Sequence, residues 1–289
     1  MASPRLLLPR SYVLSTNSSL PLLHLIPPCY TAPRGRKCLR CFRPLSTCYC
    51  PYITPVETGV KFVFLMHPKE AYHQHTGTGR LASLSLPDSE IIVGVDFSQS
   101  RRLSQLLSDS RYFPLVLYPA DDAYTARSPE LHQALEQVGG GEREGVQNTV
   151  PAAASKRLLV IVVDATWFFA KKMLRLSPNV RSLPKLSFQR QYQSEFTFKR
   201  QPAAGCVSTI ESCYHLIREL QEAGVVDSAL DPSPLMTVFR RMVDFQLEAE
   251  QNRIAAGIPG RHSYDAQRDA SRRKRQRRQR VEAPDSAKS

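Results

Sequence analysis

The sequence predicts an α/β protein with a mostly parallel sheet and flanking helices, preceded by a small four-cysteine segment. Short runs rich in Val, Ile, Leu and Phe recur from residue 60 onward, and helix-like stretches separate them. Continuous apolar runs of this length are typical of strands buried on both faces, in parallel sheets covered by helices. The chain has 289 residues, of which 42% are hydrophobic and 22% charged, as in globular proteins with a substantial core.

Each element has a local signal. Strands are expected at residues 60–66, 90–97, 113–118 and 157–163, with a further candidate at 196–199. Helices are expected at residues 100–110, 168–176, 208–223 and 234–256. The helix at 208 has Ser208 as its expected N-cap and Glu211 three residues later, which is the spacing of a capping box. The segment Thr76 to Leu81 contains two glycines and is interpreted as a Gly-rich turn.

The net charge of +13 is concentrated near the two ends of the chain: residues 1–56 carry +7 and residues 268–280 carry +7, whereas residues 57–267 are neutral and residues 281–289 carry −1. Residues 1–36 are predicted to be a disordered basic leader, with an organellar targeting peptide as the alternative. Residues 257–289 are predicted to be a disordered basic tail, because they are polar and poor in apolar residues. The main domain is expected at 37–256, with a flexible insertion at 126–155. Basic ends beside a neutral fold indicate a polyanionic partner such as nucleic acid.

Neither a membrane span nor a disulfide scaffold is expected. The longest unbroken apolar run covers only residues 158–163, far too short to cross a bilayer. Seven cysteines are present, but four of them fall within residues 38–50, and a chain of this length does not need disulfides for its stability. A reducing compartment is therefore predicted. The expected location is the cytoplasm, with nucleus or organelle as alternatives in a eukaryote.

The four clustered cysteines predict a metal site in the segment 37–52. Their spacing is two residues, six residues and then one residue, and the ligands are Cys38, Cys41, Cys48 and Cys50. Four thiolates can close a tetrahedral site around zinc, and a closed site has a structural role. The alternative is a set of buried cysteines that are free or paired.

Polar and aromatic residues follow two predicted strands. His67 and Glu70 come after the first, and Asp164, Thr166 and Trp167 come after the fourth. Ligands of open α/β sheets bind outside the carboxyl ends of strands, so these residues are candidates for a pocket. The alternatives are a strand-end histidine, a helix-capping aspartate and a core tryptophan.

Two further segments suit an anionic ligand. Residues 168–200 are strongly basic with interleaved aromatic residues, which suits phosphate contacts and base stacking. The alternative is an ordinary solvated helix face. The helix that begins near Ser208 and Thr209 could hold a carboxylate at its N-terminus, such as that of an amino-acid tail.

Taken in their order along the chain, these motifs make the sequence resemble the DTW-domain family over roughly residues 37–250. The matching motifs are Cys38-x-x-Cys41 with Cys48-x-Cys50, His67-Pro68-x-Glu70, Tyr118-Pro119, Asp164-Ala165-Thr166-Trp167, Gln201-Pro202 and Ser208-Thr209-x-Glu211. The chain departs from the family before Gln201, where Phe196 replaces the usual Tyr and Lys199 the usual Arg, unless Arg200 takes that place.

The resemblance implies a tRNA-uridine aminocarboxypropyltransferase that uses S-adenosylmethionine and has a fold related to the SPOUT methyltransferases. The expected reaction moves the 3-amino-3-carboxypropyl group to N3 of a uridine and releases methylthioadenosine. The alternatives are a SPOUT-like S-adenosylmethionine-dependent RNA methyltransferase and a non-catalytic zinc and RNA-binding module. Thermal stabilisation by S-adenosylmethionine would separate that module from either enzyme.

The resemblance also assigns roles to residues. Catalytic roles are expected for Asp164, Thr166 and Trp167, with Asp164 as the base or as the group that orients N3. Cofactor contacts are expected from Pro119, Thr166, Ser208, Thr209 and Glu211. Contacts with tRNA are expected from His67, Glu70, Lys171, Lys172, Arg175 and Arg200.

Overall fold

The structure is a computed structural model, and it describes residues 37–74, 76–136, 156–196 and 205–258. The predicted leader, nearly all of the predicted tail and residues 137–155 of the predicted insertion lie outside the described residues. So do Lys199, Arg200 and the Gln201-Pro202 motif.

Five parallel strands form one sheet in the order β2-β1-β4-β3-β5. The strands are β1 (Lys61–Met66), β2 (Ser89–Val93), β3 (Tyr112–Leu117), β4 (Arg157–Asp164) and β5 (Lys185–Leu186). The two central strands end side by side, with Met66 of β1 opposite Asp164 of β4. Residues that follow these two strands therefore meet at the carboxyl edge of the sheet.

Eight helices connect and cover the described strands. They are α1 (Pro68–His73), α2 (Thr78–Ser85), α3 (Arg101–Ser108), α4 (Pro129–Glu136), α5 (Trp167–Leu176), α6 (Pro178–Arg181), α7 (Thr209–Glu222) and α8 (Ser233–Ala255). Short 3₁₀ turns at Leu45–Thr47 and Cys50–Tyr52 shape the four-cysteine segment. None of the described helices is both long and apolar enough to cross a bilayer.

The sheet is buried on both faces, as its apolar runs predict. All six residues of β1 are buried, and their side chains alternate between two cores. Phe62 and Phe64 pack in a core that includes residues of α2, α7 and α8. Val63 and Leu65 pack in the other, with residues of α3 and α5. Because successive side chains of a strand point to opposite faces of the sheet, β1 packs against both layers of helices.

The α/β class, the parallel sheet and its four longer strands are confirmed. The SPOUT-like label stays a prediction. Two local expectations were wrong. The Gly-rich turn is largely helix, because α2 begins at Thr78. Part of the expected flexible insertion is also helix, since α4 anchors itself through the fully buried Leu131. The strand expected at 196–199 stays a prediction, because residues 197–199 lie outside the described residues; Phe196 itself packs edge-on against Phe239 of α8.

Candidate active site

Asp164, the last residue of β4, has its carboxylate buried where two helices begin. Its Oδ1 accepts a hydrogen bond of 2.6 Å from the hydroxyl of Thr209, the first residue of α7. The carboxylate also lies against Gly79, in the first turn of α2. Helix N-termini carry partial positive charge, so a buried carboxylate is stabilised at this position. Asp164 does not cap α5, whose N-cap is Thr166 without a side-chain hydrogen bond.

The N-terminus of α7 is capped within the protein. The backbone N–H of Thr209 donates to the hydroxyl of Thr78 at 3.1 Å, and the N–H of Ser208 donates to Glu211 at 2.7 Å. Glu211 is fully buried and also accepts hydrogen bonds from the Ser194 hydroxyl and the Glu195 N–H. Glu211 therefore holds the chain before α7 against that helix.

A cavity of about 570 Å³ lies at the carboxyl edge of the sheet, beside the end of β4. Its walls come from the ends of β3 and β4, from α5, from the segment after β5 and from the start of α7. Motif residues from three separate regions line it: Tyr118 and Pro119, Trp167, and Thr209. The volume lies within the range typical of small-molecule sites.

Trp167 lies on the cavity wall and is 38% exposed, so it is not a core residue. Its ring centroid lies 5.9 Å from that of Tyr118, at an interplanar angle of 57°. Two aromatic side chains that meet at a cavity offer faces on which a planar base can stack.

The remaining expected site residues occupy other places. Asp164, Thr166, Ser208 and Glu211 are not among the residues that line this cavity. Thr166 is exposed, whereas Asp164 is only 5% exposed and lies behind Thr209. The expected site residues therefore form two groups: some line the cavity, and the others lie outside its wall.

His67 serves as the N-cap of α1, where its Nδ1 accepts a hydrogen bond from the N–H of Lys69. The ring is buried and stacks on Phe169, with centroids 4.2 Å apart. Burial, followed by the charges of Lys69 and Lys172, holds the pKa of His67 below its usual value. The imidazole is therefore neutral at neutral pH, which agrees with its role as a hydrogen-bond acceptor.

The predicted basic residues on α5 are exposed. Lys171, Lys172 and Arg175 project from this helix, which begins at Trp167 of the cavity wall. None of the three forms an ion pair with a carboxylate in the part of the chain that the structure describes. They are available for phosphate contacts beside the cavity.

The segment after β5 forms another wall, which includes Phe188, Arg190 and Gln191. It lies within the basic and aromatic stretch 168–200 marked in the sequence, although none of these three residues was assigned to the site. Buried Glu219 of α7 fixes this segment by accepting hydrogen bonds from the Gln189 N–H and the Tyr192 hydroxyl. Burial, followed by the hydrogen bond to Glu219, raises the pKa of Tyr192 to about 12. Arg190 makes a two-fold contact with Glu222, at 2.9 and 2.8 Å.

Sequence reasoning missed one further residue of the wall, Asp121. Asp121 is the one acidic residue that lines the cavity among the described residues, and the loop at residues 205–207 closes another side. The position of Asp121, two residues after Pro119, is the sequence signal that could have indicated it.

The four predicted metal ligands converge. The sulfur atoms of Cys38, Cys41, Cys48 and Cys50 all lie within 4.8 Å of one another, and all four residues are buried. The Cys38–Cys50 and Cys41–Cys48 sulfur distances are 3.6 and 3.7 Å. Sulfur atoms around a tetrahedral zinc ion with bonds of roughly 2.3 Å lie about 3.8 Å apart, so this cluster fits zinc.

The surroundings of the cluster favour a thiolate. A hydrogen bond from Cys50 and backbone hydrogen bonds at Arg43 and Tyr49 hold the pKa of Cys41 well below its usual value, against the opposing effect of burial, and the same pairing raises the pKa of Cys50. Thiolate is the form in which cysteine binds a metal. The four cysteines can therefore hold a metal ion, and the closed set indicates a structural role.

The fold and these two sites define an α/β protein with a ligand cavity at the carboxyl edge of a parallel sheet and a four-thiolate segment. The chain belongs to the DTW domain family, which it matches over residues 35–247.

Among curated proteins, it is similar to tRNA-uridine aminocarboxypropyltransferase 2 of Mus musculus, with 23% identity over 75% of this chain and 65% of that protein. It is also similar to tRNA-uridine aminocarboxypropyltransferase 2 of Drosophila melanogaster, with 25% identity over 73% of this chain and 76% of that protein. A third relative is tRNA-uridine aminocarboxypropyltransferase A of Arabidopsis thaliana, with 24% identity over 74% of this chain and 81% of that protein. No solved structure matches significantly.

Proposed function

We propose that this protein transfers the 3-amino-3-carboxypropyl group of S-adenosylmethionine to N3 of a uridine in tRNA. The names of its relatives support the reaction class and the RNA substrate. The observation that carries the proposal is the convergence of Pro119, Trp167 and Thr209 on one cavity, although they lie far apart in the sequence.

The chemical character of the cavity suits this substrate pair. Trp167 and Tyr118 offer ring faces to adenine or uracil, and Leu117, Val162 and Phe188 supply apolar contacts. Thr209 and Ser212 offer hydroxyl groups to the methionine chain of S-adenosylmethionine. In this arrangement Thr209 binds the cofactor, and Asp164 holds the Thr209 side chain in position.

Aminocarboxypropyl transfer requires attack at the γ-carbon of the methionine chain. A bond forms between uridine N3 and that carbon, while the carbon–sulfur bond breaks and its electron pair stays on sulfur. Methylthioadenosine then leaves as a neutral thioether. Because the sulfonium activates three carbons, the cavity selects the reaction through which carbon it holds in line with N3.

Uridine N3 must lose its proton, so a base within hydrogen-bond reach would accelerate the reaction. Two carboxylates are candidates. Asp121 is exposed on the cavity wall, whereas Asp164 is buried behind Thr209. We assign proton acceptance to Asp121 and a positioning role to Asp164, which acts through Thr209. Thr166 is the exposed N-cap residue of α5 and precedes Trp167 of the cavity wall.

The exposed cations of α5 supply the tRNA-binding surface of this proposal. Lys171, Lys172 and Arg175 contact phosphates beside the cavity, and their contribution falls as salt concentration rises. Zinc in the four-cysteine cluster stabilises the segment that precedes β1. The proposed location is the cytoplasm.

Nucleoside mass spectrometry of a reacted tRNA tests the proposal. Purified full-length protein is incubated with S-adenosylmethionine and an unmodified tRNA transcript, which is then digested to nucleosides. A uridine heavier by one aminocarboxypropyl group is expected. A methylated nucleoside would indicate a methyltransferase, and tRNA binding without any product would indicate a non-catalytic module. Either result contradicts the proposal.

A further inference from the structure

A second cavity, of about 300 Å³, lies between the four-cysteine segment and helices α1 and α2. It shares no lining residue with the first cavity. Its principal polar and aromatic lining residues are Lys37, Arg43, Arg80, Glu70, Phe42 and Tyr72. The three cations outnumber the two negative groups of the lining, Glu70 and the Cys41 thiolate, so the cavity can attract an anion, and the aromatic side chains make it attractive to a planar group.

Arg80 is the central cation of this cavity. Its guanidinium lies over the ring of Phe42, 4.4 Å from the centroid, and donates a long hydrogen bond of 3.4 Å to the Ala71 carbonyl. Within the described parts of the chain no carboxylate forms an ion pair with it. Asp164 and Cys41 act on Arg80 through space without forming an ion pair with it, so this half-buried guanidinium keeps donors with which it can bind an external phosphate.

Phe42 has an unusual conformation. Its φ is +58°, and it is the one non-glycine residue with positive φ among those described. Bulky side chains rarely adopt this backbone conformation, which costs conformational energy. The ring is nevertheless not used to fill the core, because Phe42 is 49% exposed. A strained backbone that presents an aromatic ring at the rim of a cationic cavity indicates a ligand that stacks on the ring.

The second cavity lies next to the proposed active site. Met66, the last residue of β1, lines the second cavity and pairs with Asp164 of β4. Val163 and Ala165, on either side of Asp164, line the first cavity. Neighbouring strands lie about 4.8 Å apart, so one RNA strand that crosses the edge of the sheet can reach both cavities.

We infer that the second cavity binds an unpaired nucleotide of the tRNA substrate, close to the uridine held in the first cavity. The base stacks on Phe42, and its phosphate is bound by Arg80 and Lys37. Glu70 accepts a hydrogen bond from an amino or imino group at the base edge. This inference rests on the proposed function, and it gives the four-cysteine segment a direct part in RNA binding in addition to its structural role.

The Phe42→Gly variant provides a sharp test. Glycine adopts positive φ without strain, so this variant removes the ring and should leave the fold intact. The control is Leu45→Ala, which removes an exposed apolar side chain from the same segment outside the cavity. For each full-length variant, zinc content, thermal stabilisation by S-adenosylmethionine and the Kd for an unmodified tRNA transcript are measured. A fourth measurement is the salt dependence of tRNA binding by Arg80→Gln.

Phe42→Gly is expected to retain zinc and its response to S-adenosylmethionine while binding tRNA about tenfold more weakly, as expected for the loss of one stacked base. Leu45→Ala should bind as the wild type does. Arg80→Gln should lower the salt slope by about one phosphate contact. If Phe42→Gly bound tRNA with wild-type affinity, or if Arg80→Gln left the salt slope unchanged, the inference about the second cavity would be wrong while the proposed function would stand. A wild-type protein that does not bind tRNA would overturn the proposed function as well.

Discussion

The carboxylate of Asp164 lies so close to Gly79 that a Cβ atom on residue 79 would be 2.2 Å from Oδ2 and 2.4 Å from Cγ. The absence of a side chain at position 79 is therefore what allows α2 to begin against the end of β4. The same carboxylate accepts the Thr209 hydroxyl, so Asp164 connects α2, β4 and α7. The wall of the proposed active site depends on this junction.

Gly79→Ala should destabilise the protein by about 1–3 kcal/mol, because the methyl group must displace the Asp164 carboxylate. A loss of stability would point to the close contact with Asp164, because alanine ordinarily stabilises a helix interior relative to glycine by about 1 kcal/mol. Gly77→Ala is the comparison: the nearest atom to its Cβ is the Gln74 carbonyl oxygen at 3.4 Å, so its cost should be only the smaller one of alanine at the N-cap of α2. Chemical denaturation of both variants measures the difference. Equal stability of the two proteins would contradict the close approach.

Replacing Asp121 by asparagine should have a different effect from replacing Asp164 by asparagine. Asp121→Asn should lower the rate of transfer by roughly 10² or more without changing the unfolding temperature, because the residue is exposed and would act as the base. Asp164→Asn should lower both the rate and the unfolding temperature, because its carboxylate is buried in the junction. Single-turnover rates and thermal unfolding separate the two. Normal transfer by Asp121→Asn would return the role of base to Asp164.

Purified protein should contain about one zinc ion per chain, bound by the four cysteines. Cys41→Ser should lose the metal and destabilise the segment before β1, which packs on α2 through Leu84. Cys206→Ser is a suitable control, because Cys206 lies outside the cluster. Elemental analysis and thermal unfolding measure the effect. If metal-free wild-type protein were as stable as the protein that contains zinc, the prediction of a structural zinc site would be wrong.

His67 should make stability depend on pH below about 6.5. Its pKa is lowered in the folded protein, so the unfolded chain binds the proton more readily. The contribution to stability is therefore complete above pH 6.5 and decreases as the pH falls toward the lower folded value. His67→Asn keeps a capping residue but has no titratable ring, so its stability should fall less between pH 7 and 5.5. Denaturation at several pH values tests this, and identical pH profiles would contradict it.

The central sheet could be predicted from the sequence because its strands are continuous apolar runs, buried on both faces. The strand β5 could not, because its two residues are too few to form a pattern. Helix α2 was hidden by Gly77 at its N-cap and Gly79 in its first turn, and Gly79 is required by a contact with Asp164, distant in sequence. Such a contact leaves no local signal.

The candidate site could also be predicted only where residues close in sequence, or ordered motifs, carry the signal. Cys38, Cys41, Cys48 and Cys50 are close in sequence, so their convergence follows from spacing. Trp167, Pro119 and Thr209 were indicated by the order of the motifs, and the structure brings them to one cavity. Asp121 belongs to no recognised motif, and Phe188 was marked only as part of the basic and aromatic stretch 168–200. They reach the cavity through the order of the strands, which local patterns do not determine.

The most direct test of the central claim is to determine which carbon of S-adenosylmethionine enters tRNA. Two preparations are made, one labelled in the methyl group and one in the carboxyl carbon, and each is incubated with the protein and an unmodified tRNA transcript. Attack at the γ-carbon carries the carboxyl label into RNA and leaves the methyl label in methylthioadenosine, which is the result we predict. Methyl label in the tRNA, without carboxyl label, would contradict the account.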